Sequence, residues 1–443
     1  MYVTPHWPTR PQRKLWMPHC LGRGILLARN LASLAGDGSL FAATAMEKLG
    51  RLQVELLPLS ERYDVVVANP PYMGSSSLGK WNGKWIKDNF PEAYRDLCTS
   101  FIDRGFSLSN NQGYSAMVTM QSWMFLGSYE KLRGKLLRNH TISSMAHLGT
   151  RAFGAIGGEV VSTTATVFAN KKYDVPGTYL RLVDMGSEQE KAAGVLEALA
   201  NPDCGWLYRA NASGFDAIPG SPIAYWASSA MLKAFNNGKT LDSVSTLKQG
   251  MKTANNETFL RLWQEVSFSR TGCRNAGSID KYDGSIWVPY LKGGDFRKWY
   301  GNYDYVVYWK DNGETLKAFK RAVLRNIQFS FRASISWSVI SSGRLALRTT
   351  PKGFMFDGTG SSIFEGSVPL EFIQGFLNSS VGEACASVMS PTLTFEVGQL
   401  ARYPLLVEEE NVVVEAVSSC VHLSKIDYDS FETSWAFERH PLL

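Results

Sequence analysis

Hydrophobic positions along the chain follow two rhythms, and these place the predicted elements. Tyr63-Asp64-Val65-Val66-Val67-Ala68 is a short run of mostly β-branched residues closed by Asn69-Pro70-Pro71. It predicts a buried strand of a parallel sheet stopped by a turn. Residues 73–85, rich in Gly, Ser, Lys and Trp, read as a loop. Residues 92–108 carry apolar side chains at helical spacing. A second strand is predicted over 113–120, and a helix over 128–139 with Ser128 as N-cap. Residues 141–148 predict a third strand, and 160–169 (VVSTTATVFA) a fourth that can pair with it as a hairpin. This alternation predicts an α/β fold with a doubly wound sheet.

On either side the pattern weakens. Pro5, Pro8, Pro11 and Pro18 discourage helix early, while residues 24–49, rich in alanine, predict one or two helices broken at Gly36-Asp37-Gly38. After Tyr225 aromatic residues become dense, and short β-rich runs alternate with Gly, Asn and Asp turns. The predicted organisation is an unassigned segment over 1–60, an α/β domain over 61–172, a connecting region over 173–225, and a second, α+β domain over 226–443. There is no internal repeat.

Composition excludes several classes. With 44% hydrophobic and 19% charged residues in 443, the chain can bury a sizeable core. No run of eighteen apolar residues predicts a membrane helix. No apolar block with a small-residue cleavage site follows the basic N-terminus, which argues against a signal peptide and for a cytoplasmic protein. The six cysteines are scattered, without a CxxC pair, and the six histidines show no HExxH spacing. Neither a disulfide framework nor a metal site is expected.

The net charge of +6 is unevenly spread. Lys281 to Lys352 holds thirteen Lys or Arg against five Asp or Glu, a surplus of +8, while the tail from Leu406 is acidic. A local basic excess with interleaved Trp and Tyr is the footprint of a polyanion such as double-stranded DNA. Lys292, Arg297, Lys298, Arg344, Arg348 and Lys352 are the candidate contacts.

Asn69-Pro70-Pro71-Tyr72 carries the clearest chemistry. An exocyclic amino group on a base is a poor nucleophile because its lone pair is delocalised into the ring. Two acceptors that hold its hydrogens turn that lone pair outward. Asn69 Oδ1 and the Pro70 carbonyl can do this on a turn stiffened by two prolines. Tyr72 can stack on a base drawn out of the duplex. Open α/β sheets also bind ligands outside the carboxyl ends of their strands.

An aspartate-led apolar strand ending in NPPY is the pattern of adenine N6-methyltransferases. The segments ELLPLSERYDVVVANPPYMGSSS, QSWMFLGSYEKLRGKLL, MAHLGTRAFGAIGGEVVSTTATVF, GTYLRLVD, IPGSPIAYWAS, FLRLWQEV, YLKGGDFRKWYGNY, ISSGRLALR, PKGFMFDGTGSSIF and SPTLTFEVGQL resemble the BREX phage-defence methyltransferases of the PglX type. Those are related to fused restriction-modification enzymes. The resemblance implies the later half of a Rossmann-like methyltransferase sheet, then an α+β target-recognition domain. It also implies methyl transfer from S-adenosylmethionine to a flipped adenine, without metal.

The sequence departs from that pattern at two places. The family's upstream cofactor loop, a Gly-x-Gly turn after a strand, has no counterpart here. Leu21-Gly22-Arg23-Gly24 lacks a preceding strand, and Phe356-Asp357-Gly358-Thr359-Gly360-Ser361 is a lone FxGxG form downstream. The chain therefore reads as a fragment, or as one part of a split enzyme whose cofactor half comes from a separate chain. The alternative is a non-enzymatic remnant that binds DNA or a partner. Second, Thr253-Ala254-Asn255-Asn256 stands where the family usually has Thr-Gly-Asp-Asn, which puts the turn in doubt. No defensible nuclease motif of PD-(D/E)xK type is present.

Overall fold

A computed structural model describes residues 58–153, 161–341, 344–389 and 394–442. The early proline-rich stretch, the helices predicted over 24–49 and Leu21–Gly24 lie outside these residues. The described chain divides into two compact units: residues 58–123 with Gly134–Ala212, and Met124–Arg133 with Ser213–442.

The first unit is built on a six-stranded sheet of order β1-β2-β4-β3-β5-β6. Its strands are β1 (Tyr63–Ala68), β2 (Ser109–Met120), β3 (Thr141–Gly149), β4 (Thr163–Ala169), β5 (Gly177–Arg181) and β6 (Leu207–Ala210). β1 and β2 are parallel, with Val65 opposite Tyr114 and Ala68 opposite Met117. Parallel neighbours need a long crossover, here supplied by helices α1 (Gly79–Asn89) and α2 (Leu97–Leu108). The helix α1 occupies the stretch read from sequence as a loop. The third and fourth strands pair antiparallel, as the hairpin reading expected. β4 is also antiparallel to β2. The sheet is therefore mixed, with β4 antiparallel to both of its neighbours. The stretch read as a connection contributes β5, helix α4 (Glu188–Ala200) and β6 to this unit.

The two faces of this sheet differ. On one, Ser115, Met117, Thr166, Phe168 and Met145 are buried beneath α2 residues such as Cys98, Ile102 and Phe106. Gly105 lets α2 come close to β2: a Cβ there would sit 2.4 Å from Ser115 Oγ. On the other face Val65 and Val67 are 57% and 74% exposed, and Val67 borders a shallow apolar depression of about 290 Å³ with Ala116, Val118, Ala165 and Val167. Among the described residues β1 is also an edge strand of the sheet. Helix α3 (Glu130–Asn139) begins in the second unit and ends in the first.

The second unit is α+β. One four-stranded sheet has order β14-β10-β11-β9 and another β13-β12-β15-β8, with a small β16-β7 pair beside them. The strands are β7 (Lys239–Thr240), β8 (Thr246–Lys248), β9 (Leu260–Leu262), β10 (Trp287–Leu291), β11 (Tyr305–Tyr308), β12 (Ser334–Trp337), β13 (Leu347–Thr350), β14 (Met355–Phe356), β15 (Ser362–Phe364) and β16 (Pro404–Leu405). The dense aromatics mostly form core: Tyr290, Trp309 and Trp337 are fully buried. Helices over Leu370–Asn378, Ser380–Met389 and Glu410–Asp429 complete the unit.

Candidate active site

The short β-branched run of β1 ends at Ala68, and the next residues leave the ladder because proline cannot donate to it. Asn69 is exposed at the carboxyl end of the strand, Pro70 is buried, and Tyr72 is half-buried. The turn is anchored from outside. Met73 N–H donates to Asp96 Oδ1 at 3.3 Å, and Leu97 N–H donates to the Met73 carbonyl at 2.9 Å. Ser75 N–H donates to the Arg95 carbonyl. Asp96 also accepts from Cys98 N–H and so caps α2. One carboxylate thus fixes the helix start and the loop that carries the NPPY side chains.

The Tyr72 hydroxyl donates to Asn69 Oδ1 at 3.1 Å. Burial, and next the neighbouring Cys98, push its pKa up to about 12. Tyr72 therefore stays a neutral donor. The motif holds two features that a planar amino-bearing base would meet: an amide oxygen at a strand end and an aromatic ring three residues on.

Sequence reasoning missed Gln121 and His147. Gln121 follows β2, and its Oε1 lies 2.7 Å from His147 Nε2 near the end of β3. β2 and β3 run in the same sense as β1, so this pair stands at the same end of the sheet as Asn69. His147 is buried, and burial drives its pKa down to about 3. The signal was available in QSW, directly after the second strand.

The DNA-contact candidates scatter. Arg348 is 2% exposed, and its guanidinium donates inward to the Arg297 carbonyl and Ser338 Oγ, each at 3.3 Å. It is a core residue, not the exposed contact expected, because its strand is buried on both faces. Lys292 is committed to the buried carboxylate of Asp357 at 2.9 Å, and Lys298 donates to the Asn378 carbonyl at 2.7 Å. Arg344 pairs with Glu383 at 3.0 Å, and Arg297 lies over the Tyr428 ring. Arg297, Arg344 and Lys352 are exposed.

The Phe356–Ser361 stretch does not form a cofactor loop. Asp357 accepts from Tyr290 Oη, from Lys292 Nζ and from the backbone and hydroxyl of Thr359. A Cβ on Gly360 would meet the Leu291 carbonyl oxygen at 2.5 Å, so its glycine allows backbone to pass backbone, not a ligand to approach. Among the described residues of the first unit no Gly-x-Gly turn follows a strand. Among the described residues no group of His, Cys, Asp and Glu could hold a metal, and no helix is long and apolar enough to cross a membrane.

The chain that carries this strand and its NPPY turn is similar to restriction-modification methylases and adenine-specific methyltransferases. Residues 41–153 match the family described as Eco57I restriction-modification methylase. More particularly, the chain is 41% identical over 395 residues to the adenine-specific methyltransferase PglX of Lacticaseibacillus casei (strain Zhang), covering 87% of this chain and 33% of the relative. It is 37% identical over 418 residues to the adenine-specific methyltransferase BrxX of Escherichia coli O9:H4 (strain HS), covering 93% of this chain and 33% of the relative. The chain is thus homologous, along most of its length, to PglX-type adenine-specific methyltransferases, and spans about a third of the length of those relatives. Its fold resembles that of the Type IIL restriction-modification enzyme MmeI solved in complex with DNA, with a TM-score of 0.50 at 12% identity over 87% of this chain and 52% of that one.

Proposed function

We propose that this chain supplies the amino-polarising half and the target-recognition part of a phage-defence methyltransferase that modifies adenine N6 in double-stranded DNA. The observation that carries this is Asn69, exposed at the carboxyl end of β1 with Tyr72 beside it. In this reading Asn69 Oδ1 and the Pro70 carbonyl accept the two amino hydrogens, and the nitrogen lone pair turns toward the donor. Tyr72 stacks on the flipped ring. The first unit is then the later part of a Rossmann-like sheet, and the bare edge of β1 is where further strands would pair.

S-adenosylmethionine would supply the methyl group. No described residue cradles it, so the donor's site would be furnished by residues outside those described or by a separate chain. Support for the catalytic reading over that of a non-enzymatic remnant comes from the intact motif and its anchoring through Asp96. Its setting would be the cytoplasm, in contact with the DNA it modifies.

The test is transfer of labelled methyl to duplex DNA by this chain, with or without the remainder of a relative. Asn69→Ala should cut the rate by roughly 10²–10³, the cost of losing one group that stabilises developing charge, at unchanged thermal stability. Near-normal transfer by that variant would remove Asn69 from the mechanism.

A further inference from the structure

The second unit joins cations from two separate stretches of sequence, residues 248–252 and 320–332. Val323 pairs with Lys252 through two backbone hydrogen bonds of 2.8 and 2.9 Å. Gln249 takes a hydrogen bond from Arg325 on its Oε1 at 2.7 Å and from Asn326 on its carbonyl at 2.9 Å. Residues 323–326 are thereby pinned to the stretch that follows β8. Further on, Phe329 holds two cations: Lys248 Nζ is 5.4 Å and Arg332 Cζ 5.3 Å from the ring centroid. Lys320 and Arg321 lie just before Val323 and are exposed, as are Lys252, Arg325 and Arg332.

None of these six cations has an acidic partner among the described residues. The contrast with the candidate contacts Lys292, Arg344 and Arg348 is physical. Lys292, Arg344 and, within the protein core, Arg348 have their charges answered by Asp357, by Glu383 and by internal acceptors. Around Phe329 two like charges share one ring without an acidic partner among the described residues, an arrangement that costs free energy until an anion arrives. The Lys248 and Arg332 side chains lie against the ring and Arg325 is bonded to Gln249, so these three lose less side-chain freedom on binding.

We infer that this surface, with Lys248, Lys252, Arg325 and Arg332 at its centre, tracks the phosphates of duplex DNA. The inference rests on the proposed action on DNA and names the face that meets the backbone. Such contacts hold register on the duplex and leave the reading of bases to other residues.

The test is the salt dependence of binding to a fluorescent duplex. Combined Lys248→Ala, Arg325→Ala and Arg332→Ala should make the slope of log affinity against log salt shallower by up to about 2.7, near 0.9 for each phosphate no longer neutralised. Because the first and last of these touch Phe329, Lys320→Ala with Arg321→Ala serves as a second variant free of that packing, and should lower the slope by up to about 1.8. Arg344→Ala should leave it unchanged. Unaltered slopes in both combined variants, an equal drop in Arg344→Ala, or no duplex binding by the starting chain would overturn the inference. Asn69→Ala separates it from the catalytic reading: lost methyl transfer with unaltered patch slopes keeps the catalytic reading and sinks the patch, whereas retained transfer with flattened slopes does the reverse.

Discussion

Tyr72 donates its hydroxyl hydrogen to Oδ1 of Asn69 at 3.1 Å, so the oxygen that a target amino group would need is engaged by the motif's own ring. A base entering the site must take that place. Two roles of Tyr72 can then be parted. Tyr72→Phe keeps the ring and frees Asn69, and should retain methyl transfer within a few-fold. Tyr72→Ala removes the ring and should lose about 1–3 kcal/mol, the usual worth of stacking one base on an aromatic side chain. Steady-state rates on one duplex compare them. Equal damage from both substitutions would show that the hydroxyl acts on substrate directly and that the stacking role is wrong.

His147 makes the first unit sensitive to acid. Its ring is 4% exposed, bonded to Gln121, and held neutral by burial, with a folded pKa near 3 against an ordinary value of 6.5. A depressed histidine leaves the folded state with fewer protons than the unfolded one. The stability it contributes is complete above pH 6.5 and is lost as pH falls toward 3. Between pH 7 and 5 the loss should be about 2 kcal/mol from this group. Urea unfolding at both values, in the starting chain and in His147→Gln, measures it. A His147→Gln variant that is just as acid-sensitive would assign the effect elsewhere.

The NPPY strand was legible because its chemistry is local: β-branched residues, then prolines that cannot continue a ladder. The β3–β4 hairpin was legible for the same reason. Helix α1 was not, since Gly79 and Gly83 with three lysines and two tryptophans resemble a loop; its apolar support, Ile86 packed with Leu78 and Leu97, comes from tertiary neighbours. Charge along the chain showed a basic stretch over 281–352, but not which way each side chain turns. Leu347 and Arg348 are consecutive residues of β13 and both are buried, so the strand lacks the alternation that would have marked Arg348 as internal. The patch around Phe329 is assembled from residues about eighty positions apart, Lys248 and Arg332, which no linear reading joins.

Lys292 serves stability through Asp357. The carboxylate is 4% exposed at its side chain and the ammonium 26%. Removing the lysine leaves a buried charge with hydrogen bonds from Tyr290 and Thr359 but no counter-ion. Lys292→Met should therefore cost about 3 kcal/mol, the lower end for breaking a buried pair. In an Asp357→Asn background the same substitution should cost far less. A double-mutant cycle by urea unfolding gives the coupling. Zero coupling, together with a flattened salt slope in Lys292→Met, would make Lys292 a phosphate-binding residue after all.

Ala254 stands where the resemblance leads one to expect glycine, and the turn forms with alanine at a cost. Its φ is +58°, in the left-handed region where a Cβ crowds the following carbonyl. The turn is held from both sides. Thr253 is buried and donates to Asn256 Oδ1 at 2.7 Å, while Asn255 Oδ1 accepts from Thr258 N–H at 3.2 Å and caps a short helix. These bonds keep an alanine in a conformation disfavoured by about 1–2 kcal/mol. Glycine would relieve the strain and return part of the gain to the more flexible unfolded chain. Ala254→Gly should therefore stabilise the second unit by about 0.5–1 kcal/mol. Ala416→Gly, on the exposed face of the helix Glu410–Asp429, should do the opposite and cost about 1 kcal/mol. Urea midpoints for the two variants decide the matter. If both lose stability alike, Ala254 carries no strain and the turn takes another form in solution.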